Sequence, residues 1–582
     1  MPYLVKFDMI FALMRQATMA LLVPCLVIPA PEGRAATYHV NEKIGHDDRT
    51  AEAAQNLETP WGTIQKASDN ASPGDTIRVH AGDYPERVVI SGNGRVGDGR
   101  ITYIAENGVT VRGFEMRGNF NRIIGFEITH PSNLFHEGIR VSGANGVEIL
   151  DNNLHNLSES GAGSGITYGN CNRLIIRGNR ISFTGSPGND NGPGAKSIGE
   201  IFNQNLSSGV LIEYNTIQHT TDYLTPAGNQ HIYRNNILGP TSDADFGGAA
   251  HTDGYQSNAG TTDSFMENNW HVDNTGCDSH LYLDEVPGNH HITMLRNVSV
   301  RSGDRLNVQW RVSTHHLNAH ATIAEVGVAA RFGGPGSDGA FYIWDGSTNN
   351  VSRNNIFFKV TTGSSPYSYS RGGTAVTDHD LSYPHGYAAV TKDPRFVDYP
   401  TLDLNLKPDS PAINAAGPLT STVGSGQSAN VVKVENSRWF HDGLGIADGH
   451  IIYIGKNNNL HVTAVDWIGG TITVAEKITW ENGADVGLAY LGSGPDIGAF
   501  EFRENGYKLE PTYLDQGNGT ASVKVSPEIA RQIIVYSSDG IPSEPIFVHS
   551  DTTPVPYHSG DTIRVYSRYP SSSLTANATP SR

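Results

Sequence analysis

Residues 149–154 read "ILDNNL", an apolar pair, a polar step carrying asparagine, and a return to an apolar side chain. The phrase apolar–x–x–Asn–x–apolar comes back as "IIRGNRI" (175–181), "LIEYNTI" (211–217), "IYRNNI" (232–237), "FMENNW" (265–270), "TMLRNV" (293–298) and "VSRNNI" (351–356). "RIIGFEI" (122–128) is the same phrase without its asparagine. Asn152, Asn179, Asn215, Asn235 and Asn268 follow one another at 27, 36, 20 and 33 residues. A variable spacing close to one supersecondary unit marks a repeat whose copies differ in loop length. Each copy reads as a short strand, a bend and another short strand. Such a unit cannot bury its own apolar side chains, but stacked copies can. Asparagine serves twice in this reading: it tolerates a left-handed bend, and stacked amides bond to one another. The expected fold is therefore all-β, a right-handed parallel β-helix. A leucine-rich solenoid would need a dense leucine pattern, which is missing.

Composition agrees. Only 17% of the 582 residues are charged, while glycine alone contributes 65, which favours many tight turns over helical bundles. A net charge of −18 argues against nucleic acid as a partner. It also repels an acidic polymer unless a metal bridges the two.

Residues 1–36 read as an export signal, with the apolar run of "MALLVPCLVIPAPEGRAATYHV" (19–40) and a small-x-small site at Gly33-Arg34-Ala35. No later segment is apolar enough to span a bilayer. The expectation is a secreted or periplasmic protein, monomeric, with no membrane contact in its mature form.

The ends of the repeat are distinctive. "TPWGTIQKASDNA" (59–71) predicts an amphipathic helix that covers the open first coil, and "SPGDTIRVHAGDYPERVVI" (72–90) supplies the first strands. "DPRF" (393–396), "LNLKPDSPAINAAG" (404–417) and "GPDIGAFEF" (494–502) close the array. These stretches resemble the opening and closing coils of bacterial pectate-lyase-like β-helix proteins. The resemblance covers roughly residues 37–417 and 495–502, and implies the fold more strongly than any one activity. The expected layout is a β-helix over 37–417 plus 495–503. A small inserted β module occupies 425–492, and a C-terminal β domain with a disordered tail occupies 504–582. Trp439, Trp467 and Trp480 of the insert fit either sugar stacking or ordinary core, with core the better match. Cys171 and Cys277 sit about three coils, or roughly 14 Å, apart, too far for a disulfide.

The long stretches 186–208 and 306–339 frame the mid-stack sequence "AHTDGYQSNAG" (250–260). Here His251, Asp253 and Gln256 crowd one glycine, after Asp243 and Asp245. One coil later, "DNTGCDSHLYLDE" (273–285) adds Asp278, His280, Tyr282, Asp284 and Glu285. Coils stack about 4.8 Å apart, so Asp253 and Asp278 become vertical neighbours. With Leu281 and Leu283 inward, His280, Tyr282 and Asp284 should face outward. Any one of these residues also fits a solvated turn.

Two chemistries compete. Elimination on a uronic-acid polymer needs a base and a cation. The family resemblance implies Lys or Arg as base, with Ca²⁺ on carboxylates. Lys196, alone among lysines between residues 67 and 358, is the candidate base. Arg305, Arg296, Arg301 and Arg311 are alternatives or carboxylate clamps, and Asp243, Asp245 and Glu285 are candidate Ca²⁺ ligands. Hydrolysis is the rival, because "HTDGYQ" resembles the catalytic strand of polygalacturonases. That resemblance implies Asp253 as the catalytic position, and an inverting pair can be built from Asp253 with Asp278 or Asp284. Gln256, His280 and Tyr282 are candidate substrate-binding residues in either chemistry. The paired Asp-Asp, Gly-His-Gly and Arg-Ile-Lys motifs of those enzymes are missing. A third reading is a carbohydrate-binding β-helix without catalysis.

Overall fold

The computed structural model describes residues 35–130, 137–157, 163–184, 196–201, 205–246, 252–257, 259–275, 281–284, 287–302, 307–326, 340–360, 365–384, 390–504, 510–516, 519–525, 530–548, 552–567 and 575–578. Nearly all regular structure in it is β. From Thr37 to Thr391 the strands pair in parallel, each with its counterpart one coil on, which defines a parallel β-helix. Three faces result. Face A is a 14-stranded sheet that includes Glu148–Leu150, Asn172–Arg177 and Ser208–Glu213. Face B is a row of very short strands such as Asn153–His155, Arg180–Ser182 and Thr216–Gln218. Face C holds Ser164–Gly169, Ile198–Glu200, Leu224–Thr225, Tyr255–Ser257, Tyr282–Asp284, Val308–Arg311 and Phe341–Trp344.

The turn from face A to face B explains the repeated phrase. One residue bends with positive φ (Asp151, Tyr214, Asn235, Asn268, Arg296), and the next carries the ladder. Asn152 Nδ2 and its backbone N–H both donate to Asn179 Oδ1 at 3.0 and 2.9 Å. The pattern repeats from Asn179 to Asn215, Asn215 to Asn236, Asn236 to Asn269, and Asn269 to Asn297. In two copies the ladder residue is thus Asn236 and Asn269, one place beyond the expected Asn235 and Asn268. The shift moves Ile237 to a half-buried outward position and puts Leu238 in the core line with Leu154, Ile181 and Ile217. A one-residue slip exchanges the two sides of a strand. Phe126 takes the ladder place in the copy that lacks asparagine, donating its N–H to Asn152 Oδ1.

The N-terminal helix Ile64–Asn70 closes the first coil, its Thr63 cap accepting from Lys66 N–H at 3.1 Å. Trp61, Ile64 and Ala67 are fully buried beneath it.

After the last coils the chain returns along the outside. A six-stranded antiparallel sheet runs from Thr420 to Leu488. Three- and four-stranded antiparallel sheets follow, in which Thr575–Ala578 pairs with Thr562–Ser567. Trp480 and Trp439 pack in the core of the six-stranded sheet, and Trp467 packs against Leu211, Ile232 and Phe265 of face A. All three tryptophans are therefore packing residues. Cys171 is buried with its thiol free, and burial pushes that thiol up to about 11. Cys277 lies outside the described residues.

Candidate active site

Where a ligand can reach a solenoid depends on what is already packed on its faces. On face A, Ile104, Ile124 and Leu150 meet Ile541, and Tyr214 meets Ile534, Tyr536 and Tyr566. Leu211, Ile232 and Phe265 meet Leu444, Ile446 and Ala447, and Leu295, Leu317 and Ala319 join the core of the six-stranded sheet. A buried charge cluster seals the middle. Glu213 accepts from Arg177 Nε (2.6 Å) and Arg234 Nε (2.8 Å), while Asp448 accepts from Arg234 (2.7 Å) and Arg531 (3.2 Å). Burial opposes the charge on Glu213, but Arg234 and Arg177 outweigh it and hold the carboxyl down at about 2. The C-terminal half of face B is covered as well, by Phe396, Leu404, Leu406, Ile497 and Phe500.

Face C differs. Its outward line runs Arg140, Thr167, Gly199, then Gln256, Gln309, Tyr342 and Ser368. Among the described residues no appended sheet packs on it. The longest links of the solenoid, between Ser182 and Ile198, Leu238 and Tyr255, and Ala324 and Phe341, all enter face C from face B.

Three charged residues stand at that entry. Lys196, Asp222 and Asp253 each precede by two places a core residue of face C (Ile198, Leu224, Tyr255). Their coils are joined by Ser197 N–H to Asp222 O (3.0 Å) and Tyr223 N–H to Asp253 O (2.8 Å), so they occupy successive rungs. Neighbouring rungs lie about 4.8 Å apart and the outer two about 10 Å. The Lys196 stem crosses Gly199: a Cβ there would sit 2.9 Å from Lys196 Cδ and 2.1 Å from Thr225 Oγ1. Only glycine leaves this room. Burial lowers Lys196 to about 8, against the opposing pull of Asp222 and Glu200. Asp222 is half-buried and Asp253 fully buried. Glu200 turns inward from the same strand, held by Ser207 N–H (3.0 Å) and Oγ (2.9 Å), and burial raises it to about 8.

A hydroxyl ladder stiffens the corner below. Thr184, Ser197 and Thr220 bond mutually at 2.6–3.1 Å, Thr220 N–H donates to Thr241, and Tyr223 Oη meets Thr241 at 2.7 Å. Outside the corner, Phe183 and His219 stack at 4.9 Å, and His219 pairs with Asp245 at 3.2 Å.

The remaining candidates divide. Tyr282 and Asp284 point into the coil and not outward. Tyr282 is part of the core, and its Oη donates to Asp284 Oδ1 at 2.5 Å. Asn289 Nδ2 donates to the same oxygen at 2.8 Å, and His316 Nε2 meets Oδ2 at 3.1 Å. Asp284 is fully buried by these partners, so it is not a groove acid. Gln256 lies on the outward line but is buried. Arg301 pairs with Asp273 at 2.7 Å, and Arg311 with Asp345 at 3.2 Å beside Trp344. Arg296 reaches Glu501 and Ala489 O under the closing segment, away from face C. His251, Asp278, His280, Glu285, Arg305 and the Asp243 side chain lie outside the described residues. Asp222 is the residue sequence reasoning missed. The signal was present: "TTDYL" (220–224) repeats the Thr-Asp of "HTDGY" (251–255).

Of the candidate Ca²⁺ ligands, only the Asp245 side chain lies among the described residues. Asp245 Oδ2 is committed to Ser242 N–H (2.7 Å), Ser242 Oγ (3.1 Å) and His219.

No family model matches the chain, and no curated protein matches its sequence. Solved structures do align. A pectate lyase, Pel9A, is similar at 12% identity and TM-score 0.40, covering 81% of this chain and 98% of its own. A family-6 alginate lyase, AlyGC, aligns at 14% identity and TM-score 0.39 over 61% of this chain and 52% of its own. PfbA, a surface adhesin of Streptococcus pneumoniae, aligns at 11% identity and TM-score 0.35 over 56% of this chain and 90% of its own. No helix among the described residues is long and apolar enough to cross a membrane.

Proposed function

We propose that this protein is an exported polysaccharide-degrading enzyme, acting by β-elimination on a uronic-acid-containing chain laid along face C. The observation that carries the reading is the stack of Lys196, Asp222 and Asp253 on successive rungs at the entry to face C, on which no appended sheet packs among the described residues. Lys196, lowered to about 8, is roughly one-tenth neutral at pH 7, far more than an ordinary lysine, which suits a general base. In the neutral form its Nζ takes the proton α to the uronate carboxyl. That electron pair forms the ring double bond, and the glycosidic oxygen departs, taking up a proton as it leaves. Asp222 flanks the ammonium so formed, and Asp253 braces the rung from beneath. Arg311, Tyr342 and Trp344 extend the same face, where a longer polymer continues.

The test is a panel of uronate-containing and neutral polysaccharides read for unsaturated product and for reducing ends. Lys196→Ala should lower elimination about 10²-fold or more. Unsaturated product undiminished in Lys196→Ala would remove the base assignment.

One observation favours hydrolysis as the second reading. Asp222 and Asp253 come from adjacent rungs and bring two carboxylates to one corner, the residue types that glycoside hydrolysis uses. New reducing ends without a double bond, lost in Asp222→Asn and kept in Lys196→Ala, would select it. Calcium dependence belongs to the elimination reading and is checked by chelation. Export is checked by sequencing the N-terminus of protein recovered outside the cytoplasm.

A further inference from the structure

At the corner where face C turns into face A, a second ladder of bent residues projects outward. Asp263, His291 and His315 have φ of 48°, 56° and 62° and come from consecutive coils. His291 N–H donates to Thr314 O at 3.1 Å, which fixes the rise between the last two. His290 precedes His291 and turns its ring edge-on to it, with centroids 4.9 Å apart.

The nitrogens converge. His290 Nδ1 and His291 Nδ1 are 2.8 Å apart, and His291 Nδ1 lies 3.9 Å from Asp263 Oδ1. One ligand atom from each of the three residues falls within 4.8 Å of the others. A tetrahedral ion with bonds of about 2.0–2.1 Å has ligand–ligand edges of about 3.3 Å. The observed separations bracket that value. All three residues are half-exposed, which leaves a path for an ion. Arg438, from the six-stranded module, now bonds Asp263 Oδ1.

We propose that Asp263, His290 and His291 bind one divalent transition-metal ion of the zinc type, in competition with Arg438. Two imidazoles and one carboxylate favour zinc, nickel or copper over calcium or magnesium. His315, stacked on His291 at 4.9 Å, supports the ring from the next coil.

The other triad, Glu267, His441 and His450, makes an instructive contrast. Gly443 N–H donates to His441 Nδ1 at 3.0 Å, so His441 keeps its proton on Nε2, directed at Glu267 2.9 Å away. A metal would need that nitrogen bare. This buried triad is a hydrogen-bonded clasp between solenoid and module.

The test is titration calorimetry of the whole chelator-treated protein with zinc, with calcium as control. Wild type should bind one equivalent of zinc and no calcium at this site. His290→Ala, His291→Ala and Asp263→Asn should each weaken zinc at least about 10-fold, the scale of losing one ligand contact. His39→Ala/His80→Ala, which removes a separate histidine pair, should leave binding intact. Arg438→Gln should bind at least as tightly as wild type. Full-affinity binding in the His290→Ala/His291→Ala double variant, absence of zinc binding by wild type up to about a millimolar, or weaker binding by Arg438→Gln would each overturn the assignment. Far-ultraviolet circular dichroism of each variant confirms that it is folded when titrated.

Discussion

Faces A and C are built from the same coils, yet they carry opposite contents. Outward positions on face A are Ile, Leu, Phe and a paired charge cluster, all buried by residues that arrive a hundred or more positions later in the chain. Outward positions on face C are Arg140, Thr167, Gly199, Gln256, Gln309 and Tyr342, with lysine and aspartate at the rim. A solenoid side that is apolar outside is therefore a docking surface for its own chain. A side that is polar outside and edged by long links is the one offered to a ligand.

This contrast is broken most severely at the centre of face A. Glu213→Ala strands the buried Arg177 and leaves Arg234 only Asp448, and unfolding in denaturant should show a loss of about 3–5 kcal/mol. The matching change on face C, Lys196→Ala, should cost activity of about 10²-fold while leaving the unfolding midpoint close to wild type. Equal stability losses in the two variants would end the distinction.

The next effect is a pH slope. Glu200 is raised from about 4.5 to about 8 by burial, so the native state holds a proton that the unfolded state has lost. Stability should then fall as pH rises through 4.5 to 8, by about 2 kcal/mol between pH 5 and pH 7. Glu200→Gln should flatten that slope. Lys196 has the opposite sign: lowered from 10.5 to about 8, it makes stability rise with pH between those values. A Glu200→Gln protein with an unchanged slope would place the titrating group elsewhere.

The smallest effects separate two adjacent asparagines. Asn236→Ala removes ladder bonds to Asn269 and Ile212 O and leaves the buried Asn215 N–H unpaired, for about 1–3 kcal/mol. Asn235→Gly keeps the positive-φ bend and should change thermal stability by only a few tenths of a kcal/mol.

That pair also marks how far the chain can be read unaided. The repeat, the parallel coils and the capping helix were legible because the Asn phrase and the Trp61–Ile64–Ala67 spacing are local. The register inside "RNN" and "ENN" was not, because either asparagine satisfies the phrase, and only the next coil's amide selects one. The orientation of "LYLDE" was misread for a related reason. Leucine at alternate places argued for Leu281 and Leu283 inward, while Asp284 goes inward because Asn289 and His316, from further along the chain, complete its bonds. Asp222 does not stand out in the sequence, since Lys196 and Asp253 become its neighbours only through stacking.

The charge cluster around Glu213 and Asp448 also has a consequence in time. Each coil needs only its predecessor as a template, so stacking can proceed as the chain is made. The apolar stripe of face A, however, stays wet until residues 440–566 exist. Gln532 and Tyr566 close over Glu213 and Tyr214, on coils laid down more than 300 residues earlier. A chain stopped near residue 500 would keep its rungs and its face C, but would carry an open greasy seam along its back. Such fragments should stick to one another through that seam, and the full-length protein is released from this tendency only when its final strands fold down.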